Sequence, residues 1–223
     1  MIFGDAVQRP ESAAPADWLH RECQGAFGTV GWLVPDRFPS LIRLRAPDPS
    51  RDWWREYRDL VAFVVAIGEQ YTSTPDRAWF ALWEGHGWEN TRSRIAVRGS
   101  LGDTEQQALE QRRAQLREED RRRSADIAAG LSEIPKFVRP DREYFLVSGS
   151  LAAVTELREP GTPERWQHPD LFWPDDHSWF AATDVDVWSY YVGGDADFIT
   201  ELAERSPTPT EPVAPDRILE SED

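Results

Sequence analysis

The sequence predicts an α+β fold: a single domain over residues 1–205 with a mostly antiparallel sheet packed by helices, followed by a Pro-rich acidic tail over 206–223 that is expected to be poorly ordered. Three observations predict it. Helical and strand-like patterns are interleaved without the regular beat of a βαβ crossover, which disfavours a parallel sheet. Hydrophobic residues make up 40% of the chain and aromatic residues 12%, with eleven Trp, so a core can form despite a mean hydropathy of -0.60. A chain of 223 residues can bury that core without disulfides or metal.

The elements follow in order. The first 14 residues read as loosely ordered, and residues 15–23 as a short helix with Asp17 near its start, where a carboxylate suits the helix dipole. Leu41, Ile42 and Leu44 alternate with Arg43 and Arg45, which marks a strand within 38–46, closed by the turn Pro47-Asp48-Pro49. Asp48 or Ser50 can then cap a helix over 51–70. Its Trp54, Leu60, Val61, Val64 and Val65 recur on one helical face and are expected to pack against the sheet. Residues 77–84 carry Trp79, Ala81 and Trp83 on one parity and Phe80 and Leu82 on the other, the pattern of an inner strand. Gly85-His86-Gly87 is read as a flexible turn, and 94–98 as a short strand. From Thr104 to Ala129 helix formers dominate but apolar residues are sparse, and 117–123 are all charged, so this helix is expected to be solvated.

Tyr144-Phe145-Leu146-Val147 reads as a strand and residues 150–154 as a short helix. Five prolines and glycines between Glu159 and His177 mark a long loop pinned by Trp166, Phe172 and Trp173. Strands are expected at 178–184 and 188–192, then a helix at 195–204 with Asp195 as its N-cap. Pro75-Asp76-Arg77-Ala78-Trp79-Phe80-Ala81 is echoed by Pro174-Asp175-Asp176-His177-Ser178-Trp179-Phe180-Ala181, which either marks two equivalent strands or is coincidence.

Charge is distributed unevenly. Residues 1–139 hold 20 basic and 21 acidic groups, whereas residues 140–223 hold 5 basic and 19 acidic, so nearly all of the net -15 lies in the last third. A field of that sign repels phosphate backbones and anionic lipid, which argues against nucleic-acid and membrane partners and favours a basic protein partner. Acidic surface also serves simple solubility. No run approaches the ~20 apolar residues of a membrane span, Met1-Ile2-Phe3-Gly4-Asp5 lacks the regions of a secretory signal, and Cys23 is the only cysteine; the expected location is cytoplasmic.

Chemistry-bearing signals are weak. Gly193-Gly194-Asp195 is no phosphate loop, because an acidic residue stands at its mouth. Asp175, Asp176, Asp184 and Asp186 gather with His177 in twelve residues, but outside any metal-loop spacing. Four histidines without a ligand pattern, and one thiol, leave no metal site and no cofactor expected. Glu84 with His86, and His168 with Asp170, set a carboxylate beside an imidazole, the material of general acid/base work. Trp88 next to His86 adds a stacking surface.

The segment from Asp170-Leu171-Phe172-Trp173-Pro174 through Trp179-Phe180-Ala181 to Asp186, with Tyr191-Val192-Gly193-Gly194, resembles a stretch found in uncharacterised proteins of high-GC actinobacteria. The resemblance covers residues 170–202. It implies a bacterial cytoplasmic origin and brings no known activity and no catalytic residues.

Two functions are therefore carried forward. The first is a non-enzymatic acidic module that docks a basic protein, as immunity and regulatory proteins do. The second is a small enzyme or ligand-binding protein with a carboxylate/histidine site. The candidate binding residues are Glu84, His86, Trp88, Asp175, Asp176, Asp184 and Asp186. Convergence of Glu84, His86, Asp184 and Asp186 in a concave pocket would favour the second reading; a flat acidic face would favour the first.

Overall fold

A strand that is apolar on both parities must be covered on both faces, and the architecture is built around that requirement. The computed structural model describes residues 1–46, 53–90, 102–185 and 187–219. Two short helices, α1 (Leu19–Glu22) and α2 (Val30–Leu33), precede β1 (Ser40–Arg45), α3 (Trp53–Gly68) and β2 (Ala78–Trp83). The long helix α4 (Asp103–Ser132) leads to the hairpin β3 (Lys136–Arg139) and β4 (Arg142–Gly149). There follow β5 (Arg158–Glu159), β6 (Thr162–Trp166), β7 (Leu171–Pro174), β8 (Phe180–Ala182), β9 (Ser189–Gly194), α5 (Ala196–Arg205) and β10 (Thr210–Pro212). Eight strands make one sheet in the order β10-β1-β9-β8-β7-β2-β4-β3 with every neighbouring pair antiparallel, while β5 and β6 form a separate hairpin. The fold is the single α+β domain that the sequence predicts.

Each face of the sheet has its own core. On one face Phe80, Leu82, Phe145, Phe172 and Val192 meet Leu60, Val61 and Val64 of α3 and Phe198 and Leu202 of α5. On the other, Trp79, Ala81, Leu146, Trp173 and Phe180 are covered by Trp18, Leu19, Trp32 and Leu33 of the N-terminal segment. Burying each large apolar side chain contributes about 1.5–3 kcal/mol, so both layers are needed to keep the central strands out of water. Helix α3 packs as its spacing predicts, with Val64 fully buried and Trp54 half-buried under the Arg55 guanidinium. By contrast, among its described side chains α4 buries only Ile127 and Leu131, near its C-terminal end, and its exposed length is laced by pairs such as Glu118–Arg122 at 2.8 Å.

Several expectations need correction. The first residues are not loose: Phe3 and Val7 are buried, and Gln8 exchanges backbone hydrogen bonds with Ser148. The 159–177 stretch is not one loop, because Leu171–Pro174 forms an inner strand between β8 and β2. Pro174 ends that strand, where its missing N–H costs no ladder bond, and this hid the strand in the sequence. The described part of the tail makes backbone contacts with the domain. Thr210–Pro212 pairs with the open edge of β1, and the carbonyls of Pro215 and Arg217 accept from Gly31 and Val30. An edge strand needs only backbone partners, so the tail's polar, Pro-rich side chains gave no sign of this docking. The Trp-Phe-Ala echo does not mark equivalent strands, since Trp79 faces one core and Trp179 the other. The strand expected at 94–98 and the caps Asp48 and Ser50 lie outside the described residues.

Candidate functional site

At the end of β2 the chain turns through a short 3-10 segment, Glu84–His86. Gly85 is required there because a Cβ would collide with the Trp83 indole, and Gly87 closes the turn in the left-handed region at φ 66°. The turn is thus built rather than flexible, and it carries His86 back over the strand end. Asp170 stands just before β7, whose Leu171 pairs with Ala81. That register puts the Asp170 carboxylate where Oδ2 accepts from the Trp83 backbone N–H at 2.7 Å and from His86 Nε2 at 3.3 Å. The Asp170 side chain is 3% exposed and that of His86 18%. Burial pushes the Asp170 carboxyl up, but the His86 hydrogen bond and the Trp83 N–H outweigh it and hold the group below its ordinary value, ionised. With Nε2–H committed to Asp170, Nδ1 of His86 keeps its lone pair, and no hydrogen bond from the described residues reaches it.

A second imidazole completes the polar wall. The His168 ring lies 5.4 Å from that of His86, and burial pushes it down, so it is neutral at pH 7. The Tyr57 ring from α3 packs 5.6 Å from His168, its hydroxyl 3.1 Å from Thr183 Oγ1, while Thr183 donates to the Val187 carbonyl at 3.2 Å. Burial raises the Tyr57 phenol above its ordinary value, so it stays protonated. Tyr57, His86, His168, Thr183, Asp184 and Trp188 line a cleft of about 270 Å³, together with Val185 and Val187. Asp184 accepts from Nε and Nη2 of Arg142 at 3.2 and 3.0 Å, and that guanidinium lies over the Trp83 ring. A mostly apolar concavity with a few convergent polar groups is the usual form of a small-molecule site.

Of the residues singled out in the sequence, His86 and Asp184 meet in this cleft. Trp88 is buried beneath it rather than exposed for stacking: its indole donates to Gln167 Oε1 at 3.1 Å, and its ring packs 4.9 Å from His86 and 5.2 Å from Phe3. Glu84 points elsewhere, to Lys136 at 2.7 Å, and that bond holds its carboxyl below the ordinary value. Asp175 and Asp176 stand at the other end of β7. Asp175 accepts from the Trp79 indole at 2.8 Å, and Asp176 from Thr72 Oγ1, Ser73 N and Oγ, and Ser178 N at 2.6–3.0 Å. They fasten a turn. Asp186 lies outside the described residues.

Sequence adjacency had paired Glu84 with His86 and His168 with Asp170; the fold exchanges the partners, so that Asp170 serves His86. Tyr57 and Thr183 had no signal beyond their place in an amphipathic helix and a strand. Among the described residues no group of three or more His, Cys, Asp or Glu could hold a metal ion, and no helix is long and apolar enough to cross a membrane. The chain matches no protein-family model, no curated protein and no solved structure.

Proposed function

We propose that the protein binds a small, largely planar molecule in the cleft beside His86. The observation that carries this reading is the partly exposed His86, backed by the buried Asp170, opening on a concave, aromatic-walled space. Desolvating an ionised carboxylate is costly, and here its partner ring faces a cavity instead of closing a packed core. A cavity of about 150 Å³ holds benzene, so about 270 Å³ suits a molecule of about ten non-hydrogen atoms. The groups that line it are the His86 imidazole, the Asp184 carboxylate held by Arg142, and the aromatic side chains of Tyr57 and Trp188.

The competing reading, an acidic face that docks a basic protein, needs the aspartates of the last third to be free and contiguous. Instead Asp170, Asp175, Asp176 and Asp184 each serve local donors, and Asp195 caps α5 through Phe198 N at 2.8 Å. Their charge is partly spent inside the fold, which weakens the premise of a continuous docking field.

Ligand-observed NMR with a set of small phenols, azoles and aromatic amines tests the proposal. Members of the set should bind wild-type protein near a Kd of about 0.2 mM, as expected for about -5 kcal/mol from ten atoms. His86→Phe, which fills the cleft, should abolish the signal. Equal binding to both proteins, or binding to neither, would remove the cleft from consideration.

A further inference from the structure

We infer that His86 is a general base that removes a proton from the molecule held in the cleft, with Asp170 as its positioning residue. This extends the binding reading above and depends on it.

Three geometric facts lead here. Asp170 Oδ2 holds His86 through Nε2 and is itself held by the Trp83 N–H, which orients the ring and, in the neutral imidazole, leaves the lone pair on Nδ1. His86 lines the cleft and is partly exposed in it, whereas Asp170 is buried behind it, so only the imidazole can meet a ligand. When Nδ1 takes a proton, the imidazolium that forms is already hydrogen-bonded to a carboxylate, which stabilises the charge where it develops. The same order of groups, carboxylate behind imidazole behind reacting atom, orients histidine bases on unrelated folds.

The rest of the lining limits the chemistry. Thr183 Oγ1 is engaged by Tyr57 and the Val187 carbonyl, the Thr183 N–H is taken by the Asp170 carbonyl, and Asp184 is engaged by Arg142. The described lining therefore offers the His86 base, a second imidazole at His168 and apolar walls, with neither an activated nucleophile nor a pair of converging N–H donors for an oxyanion. Its substrate class is a small planar molecule bearing an acidic C–H, N–H or O–H, and its reaction is proton abstraction rather than acyl transfer.

The probe is 5-nitrobenzisoxazole, a flat bicyclic compound whose ring opens on loss of one proton. His86 Nδ1 would take the C3 proton; the C–H electron pair becomes part of the new nitrile as the N–O bond breaks, and that bond's pair leaves on oxygen. The product is 2-cyano-4-nitrophenolate, followed by its absorbance, and the imidazolium returns its proton to water. Binding is measured separately by calorimetry with 6-nitrobenzotriazole, a similar flat molecule that has no N–O bond to break and so cannot ring-open. Wild-type protein should bind the benzotriazole and turn over the benzisoxazole at least about a hundred-fold faster than His86→Gln. Asp170→Asn should lower kcat with KM nearly unchanged, because the imidazolium that forms has lost its carboxylate. Circular dichroism confirms that each variant is folded. If the benzotriazole does not bind, both the cleft reading and the base fall together. If it binds but the rate equals that of His86→Gln, the general base is overturned while the cleft stands.

Discussion

The two ends of β7 carry the same residue type in two different employments. At its start Asp170 is buried and answers one imidazole and one backbone N–H. Just past its end Asp176 is exposed and answers Thr72, Ser73 and Ser178. Partial burial works against ionisation of Asp176, yet the N–H and O–H donors of Ser73 and Ser178 pull its carboxyl down to about 2. Both aspartates are therefore ionised and hydrogen-bonded. The difference lies in the partner. Backbone and hydroxyl donors fix a turn and change nothing further, whereas an imidazole passes the influence of its carboxylate to whatever its other nitrogen meets. Counting acidic residues along the chain cannot separate these roles.

The contrast can be tested in order of expected size. Asp170→Ala leaves the His86 N–H and the Trp83 N–H without their buried acceptor, and should cost about 3–5 kcal/mol in urea unfolding together with all binding in the cleft. Asp176→Ala removes donor–acceptor bonds at an exposed turn and should cost about 1 kcal/mol, with cleft binding untouched. Equal losses from the two variants would erase the distinction drawn here.

The smallest effect is a pH dependence that separates the two ends. His168, buried beside the cleft, is pushed below 6.5 by burial, so the folded protein resists a proton that the unfolded chain accepts. Its contribution to stability is complete above about pH 6.5 and declines as pH falls through that value. His177, half-buried and facing Arg37, is pushed down by burial and by that guanidinium, and it adds to the same window. Asp176 acts lower: its contribution is present above about pH 4 and is lost as pH falls from there towards 2. Unfolding free energies measured from pH 8 to 3 should therefore fall first between 7 and 5. His168→Gln should flatten that upper slope more than His177→Gln, since its ring is the more deeply buried. A lower slope altered by His168→Gln would contradict the assignment.

Much of the fold was legible in the sequence because local pattern is enough for elements whose burial is periodic. The face of α3, the double-sided apolarity of β2, the solvated length of α4 and the Asp195 cap of α5 all follow from spacing alone. Elements held by backbone pairing were not legible. Strand β7 carries buried Leu171, Phe172 and Trp173 but is short and set among prolines, which read as a loop, and β10 joins the sheet through its N–H and C=O groups without an apolar face.

The site divides along the same line. Composition and order along the chain established an acidic, aromatic-rich α+β domain, and placed an imidazole at 86 and a carboxylate beside another imidazole at 170. Which carboxylate serves which imidazole was decided by the register of β2 against β7, a pairing between residues some ninety positions apart. Such pairings are chosen by the global burial of two sheet faces rather than by any local preference. The sequence alone therefore determined which reactive groups the protein owns, and only the tertiary structure decided that Asp170 stands behind His86 while Asp176 closes a turn.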